Sequence, residues 1–171
     1  MDHGQWLLSH CFPQANGLHS VLAFEGKNPS VAKGQKDFVQ VINVNTNHWV
    51  TVTNIGCYEN SIDVYDSLSL DLNKNAGQKM YSSMASLVKT DLSNLKINYK
   101  PMQQQQGCSD CGLFALAVAF TLLAGDDPSE LTYDQSCMRE HLTLCFLVNE
   151  MAPFPSKSSQ CQQMKKTRTE L

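Results

Sequence analysis

The stretch that most constrains this chain is Gln103-Gln104-Gln105-Gln106-Gly107-Cys108-Ser109-Asp110-Cys111-Gly112, followed without a break by the apolar run 113–124. A helix that is apolar almost all round has to lie inside a core. The polar, glycine-marked turn before it therefore delivers Cys111 to the first turn of a buried helix. There the amide N–H groups that lack an intrahelical acceptor, and the positive end of the helix dipole, favour a thiolate. A thiol so placed becomes a nucleophile if the chain also supplies a base and donors for an oxyanion.

With 171 residues, 42% hydrophobic and 17% charged, the chain supports one domain with a sizeable core. The expected division is a domain at 1–155 and a polar tail at 156–171, which contains Lys165-Lys166-Thr167-Arg168 and has the composition of disordered chain. A net charge of −3 offers no basic field for nucleic acid. No apolar run reaches the roughly eighteen residues that a membrane span requires. The opening Met1-Asp2-His3-Gly4-Gln5 has no positive segment leading into an apolar one, so no secretory signal is expected. Seven cysteines, at 11, 57, 108, 111, 137, 145 and 161, are an odd number set mostly in apolar segments. That pattern fits free thiols in a reducing compartment better than a disulfide framework. The expectation is a monomer inside the cell, in the nucleus or the cytoplasm.

Taken in order, residues 3–12 read as a short helix stopped by Pro13, with Trp6 or Leu7 and Leu8 as core anchors. A brief apolar piece at 18–24 follows, and then a polar loop at 25–36. Three short, β-branched, alternating segments at 38–44, 48–55 and 61–66 read as strands. His48 shares a face with Val50 and Val52, and Asp66 with Ile62 and Val64. If 56–60 is a hairpin loop centred on residue 58, position 50 opposes 66 and position 48 opposes 68. His48 and Asp66 are then diagonal neighbours about 5–8 Å apart at Cβ, within reach of each other. A helix is expected over 73–89 with Met80, Met84, Leu87 and Val88 on one stripe, then a half-exposed strand over 95–100. The cysteine-bearing helix should end at Gly125, and a last helix over 133–150 should turn Met138, Leu142, Cys145 and Phe146 inward.

The chemistry follows from the residue types. A cysteine beside a hydrophobic run is most often a small buried hydrophobe. Cys111 differs because a histidine–aspartate pair predicted to touch lies upstream and a glutamine lies a few residues before it. His48 can take the thiol proton, Asp66 can hold the tautomer, and a glutamine amide can donate to an oxyanion. Other readings compete. Cys108 and Cys111 form a C-x-x-C that could be a redox site, and with Cys137 and His141 they could hold zinc. A domain that binds without catalysing is a further alternative.

His48-Trp49, then Tyr65-Asp66-Ser67 with Asp66 eighteen positions on (66 − 48 = 18), then Gln105 six before Cys111 (111 − 105 = 6), form an ordered set. That set resembles the ubiquitin-like-protein-specific proteases, the Ulp/SENP family related to adenain. The resemblance spans about residues 37–155, and Met138-Arg139-Glu140-His141-Leu142 with Pro153-Phe154-Pro155 is similar to Ulp-like domains in transposon-derived animal proteins. It implies an α+β, papain-like fold whose central sheet is mostly antiparallel and whose nucleophile sits at the N-terminus of a buried helix. It further implies Cys111 as nucleophile, His48 as base, Asp66 as orienter and Gln105 as oxyanion donor. Trp49 would wall a channel for the Gly-Gly tail of a modifier such as SUMO, ubiquitin or NEDD8, with no cofactor or metal. Trp6-Leu7-Leu8-Ser9 lacks the acidic part of the Trp-Leu-Asn-Asp segment that the family carries near its start.

Overall fold

The structure is a computed structural model and describes residues 1–24, 36–44, 47–69, 78–88, 90 and 93–158. A five-stranded mixed sheet organises the chain, in the order β1 (Asn16–Gly17), β2 (Phe38–Val44), β3 (His48–Thr53), β4 (Ser61–Tyr65), β5 (Lys96–Tyr99). The three central strands are antiparallel, while each edge strand runs parallel to its neighbour. Among the described residues four α-helices complete the fold: α1 (Asp2–Cys11), α2 (Gln78–Leu87), α3 (Cys111–Leu123) and α4 (Gln135–Val148). A second sheet pairs β6 (Leu131–Tyr133) with β7 (Ser156–Ser158).

Strand alternation sorts the apolar side chains onto two faces. Val39, Val41 and Tyr65 face α1 and α3, while Phe38, Ile42, Val50, Val52, Ile62 and Val64 pack with Met84 and Leu87 of α2. Because α3 is buried along Leu113–Ala119, it is the central helix that its composition demands. The Thr51 hydroxyl reaches from mid-sheet and donates to the Ala115 carbonyl at 2.7 Å, which sets the height of α3 above the sheet. Gly4 lets α1 close onto α3, since a Cβ there would meet the Leu116 side chain at 2.7 Å. α3 ends as expected at Gly125, where φ is +88° and the amides of Gly125 and Asp126 return to the carbonyls of Leu122 and Thr121.

The antiparallel register agrees with the spacing argument: Thr51 faces Tyr65, Val52 faces Val64, and Thr53 faces Asp63. Of the alternatives Trp6 and Leu7, Leu7 is the one that joins Leu8 in the core, while Trp6 is 43% exposed and packs against His10. Other expectations need correcting. Phe146 is 40% exposed rather than inward, leaving Met138 and Cys145 as the buried residues of α4. Tyr133 belongs to β6 and not to the last helix. A boundary at residue 155 falls inside the second sheet, because Ser156–Ser158 pair with β6. The rest of the expected tail, the loop at 25–35 and the helical ends at 73–77 and 89 lie outside the described residues.

Candidate active site

Three segments converge at one end of the sheet. β3 begins with His48, the turn after β4 carries Asp66, and α3 begins with Cys111. His48 Nε2 lies 2.8 Å from Asp66 Oδ1, and both side chains are buried. The same carboxylate oxygen accepts the Leu68 amide at 2.8 Å, so the turn that follows β4 holds the aspartate as well as the histidine does. Because the Asp66 side takes Nε2, the imidazole presents Nδ1 on its other edge. That nitrogen is buried and has no hydrogen-bond partner. A buried polar atom without a partner is rare in folded proteins and marks functional positions. The Cys111 thiol is also buried and lies 3.9 Å from the carbonyl oxygen of Asn47, the residue that precedes His48. The sulfur is thus next to the peptide that leads into the histidine.

Each glutamine of the run has its own acceptor or donor. Gln103 pairs with the Tyr133 backbone in both directions, accepting from its N–H at 2.6 Å and donating to its C=O at 3.1 Å. Gln104 donates to the Asp66 carbonyl at 3.2 Å. The Gln105 amide nitrogen donates to the Gly107 carbonyl at 3.0 Å, and its oxygen accepts from Ser67 Oγ at 2.7 Å. A carbonyl can only accept, so the contact with Gly107 fixes which end of the Gln105 amide is nitrogen. One amide hydrogen remains for a ligand. Gln106 uses its backbone, whose N–H and C=O both bond to the Gln135 side chain. The bend needed for these contacts falls at Gly107, where φ is +74°, a value that glycine adopts without strain.

Trp49 is half-buried beside the first turn of α3. A Cβ on Gly112 would stand 3.6 Å from Trp49 Cδ1 and 3.2 Å from the Met1 methyl, so Met1 and Trp49 flank the residue after the cysteine. Trp6 stacks with His3 and His10 instead. The competing ligand set does not converge: among the described residues no three His, Cys, Asp or Glu side chains form a group placed to hold a metal. His141 is engaged by the Ala152 carbonyl and the Cys145 thiol, and Cys137 is exposed beside Ser136. Cys108 is an exposed free thiol. The sequence reading missed Ser67 as the group that orients Gln105, and Asp110, Gln135 and Arg139 as partners in the loop that precedes Cys111. The i and i+4 spacing of the last two puts them on one helix face but does not by itself point to that loop.

A cysteine opens the central helix, and the sheet packed against that helix carries a His–Asp pair at its end. The model of the Ulp1 protease family, C-terminal catalytic domain, matches residues 31–152, and the chain belongs to that family. It is accordingly a cysteine protease. Three structures of SUMO protease Ulp1 share its fold. In these the catalytic cysteine is oxidized to a sulfenic, sulfinic or sulfonic acid, with TM-scores of 0.61, 0.60 and 0.61. Each is 15% identical to this chain, and each match covers 86% of it and 75% of the other. No curated protein sequence matches the chain. Among the described residues no helix is long and apolar enough to cross a membrane.

Proposed function

We propose that this chain is a thiol isopeptidase that cleaves after the C-terminal Gly-Gly of a ubiquitin-like modifier through a thioester at Cys111. The observation that carries the reading is the orientation of His48. Its Nε2 is taken by Asp66, its Nδ1 is left buried without a partner, and the thiol lies 3.9 Å from the carbonyl oxygen of the preceding residue, Asn47. In the first half-reaction His48 Nδ1 takes the Cys111 proton and the sulfur attacks the carbonyl carbon of the last glycine. The oxyanion forms between the spare Gln105 amide hydrogen and the Cys111 backbone N–H. The C–N bond then breaks, His48 returns the proton to the departing amine, and the thioester remains. Water deprotonated by His48 attacks the thioester, and the modifier carboxylate and the free thiol are released. Trp49 walls the channel, and glycine is selected because a Cβ in the last two substrate positions would meet those walls.

Family membership and the fold shared with SUMO proteases support a modifier of the SUMO, ubiquitin and NEDD8 type, with the nucleus or the cytoplasm as the place where conjugates are met. The test is a panel of C-terminal electrophile probes built on each modifier, applied to the wild-type chain and to Cys111→Ala. The expected result is labelling by at least one probe at Cys111, with the variant unlabelled yet still binding that modifier. A wild-type chain that reacts with no probe, or label carried by a cysteine other than Cys111, ends the proposal.

A further inference from the structure

Gln105 and Cys111 supply the two donors that must meet one carbonyl oxygen, and the loop between them has little to hold it. Gln106, Gly107, Cys108 and Ser109 are all exposed, so burial of apolar surface does not fix their positions. Beyond the Gln105 amide, which donates to the Gly107 carbonyl, the ties on the loop come from another helix. Gln135, the first residue of α4, accepts the Gln106 N–H at 2.7 Å and donates to the Gln106 C=O at 2.8 Å and to Asp110 Oδ2 at 2.7 Å. The second carboxylate oxygen of Asp110 is held by Arg139, one turn further along α4. Gln106 adjoins Gln105, and Asp110 adjoins Cys111. A single amide therefore spans the loop from the neighbour of one donor to the neighbour of the other.

From this the geometry points to Gln135 as a positioning residue that sets the spacing between the two oxyanion donors, with Arg139 holding Asp110 in the same clamp. The inference rests on the proposed reaction. The hydrogen bonds of Gln135 go to Gln106 and Asp110 and not to the thiol or the imidazole, so it acts through the placement of Gln105 and Cys111. Displacing one donor by about an ångström is enough to lower a rate on the order of a hundredfold. Hydrogen bonds and an ion pair at an exposed surface contribute little to global stability. The expected signature is therefore a fall in turnover with the fold intact.

The experiment compares wild type, Gln135→Ala, Gln105→Ala and the double variant in hydrolysis of a fluorogenic C-terminal modifier substrate. Amide exchange across residues 105–111 is followed in the same proteins without substrate. Gln135→Ala should lower kcat about 10- to 100-fold with KM within about twofold, and the loop amides should exchange faster. The double variant should be scarcely worse than Gln105→Ala, because with the Gln105 amide gone there is no longer a pair of donors whose spacing Gln135 can set. Alkylation of Cys111 by iodoacetamide, which develops no oxyanion, should keep its rate and its pH profile. Gln135→Glu should fare no better than the alanine, since a carboxylate cannot donate to Asp110 or to the Gln106 carbonyl. Loop exchange unchanged in Gln135→Ala, kcat within twofold of wild type, or fully multiplicative losses in the double variant would each overturn the clamp. If the wild type hydrolyses no modifier substrate while the variant loop exchanges faster, the proposed reaction has failed and the clamp has not. An active wild type with an indifferent variant shows the reverse.

Discussion

Asp66 makes two bonds through one oxygen, to the imidazole of His48 and to the amide of Leu68. Asp66→Asn retains the shape but turns a pure acceptor into a group that is half donor, so it no longer specifies which imidazole nitrogen carries the proton. The expected loss in kcat is about 10²- to 10⁴-fold with modifier affinity kept, in line with tautomer loss in other triads. A variant within tenfold of wild type in steady-state hydrolysis would remove Asp66 from the reaction. Gln105 and Ser67 form a graded pair. Gln105→Ala deletes a donor and should cost about 10²- to 10³-fold in kcat. Ser67→Ala frees one end of the amide while the bond to Gly107 remains, so its loss should be smaller. If Ser67→Ala proved the more damaging of the two, Gln105 would not be the donor.

At the level of elements, what could be read from the sequence is what periodicity controls. Alternation of apolar residues in 38–44, 48–55 and 61–66 sets both strand identity and register. The hairpin pairing of 51 with 65 follows from that alternation together with the length of the 56–60 loop, and with it the meeting of His48 and Asp66. The run 113–124 had to be a central helix because no other placement buries it. Elements held by backbone pairing with no apolar pattern were not legible. β1 is two residues long, and β7 is Ser-Lys-Ser, which carries no strand signal. The clamp through Gln135 was equally hidden, because a polar residue at a helix start reads as an ordinary solvated position. Thr51 shows how an element is set by one polar contact. Thr51→Val keeps the volume and removes the bond to the Ala115 carbonyl. It should destabilise the domain by about 0.5–1.5 kcal/mol in urea unfolding. No shift in the midpoint would mean that packing alone holds α3 at its height.

Over the whole molecule, Tyr133 is where the second sheet, the glutamine run and the central helix are joined. Its backbone pairs with the Gln103 side chain, its ring meets Phe114 edge-on at 6.0 Å, and its hydroxyl lies 2.9 Å from Thr121 Oγ1. Burial pushes this phenol up to about 12, the Thr121 bond opposing the shift and the charge of Asp126 adding to it. Burial raises Tyr65 to about 12 as well. The direction of the linkage follows from these values. An unfolded tyrosine ionises near pH 10, so the chain gains a charged form on unfolding that the core refuses. The contribution is fully present below about pH 10 and is lost as pH rises through about 12. Each such group steepens the decline in stability across that window, and because Tyr133 ties three elements together its ionisation should unfold the domain as a unit. Tyr133→Phe should cost about 1 kcal/mol at neutral pH by leaving Thr121 without its partner. Between pH 10 and 12 the variant should lose stability more slowly than wild type, so that the two curves of urea midpoint against pH converge. Parallel curves across that window would show that the buried phenol at 133 does not govern alkaline unfolding.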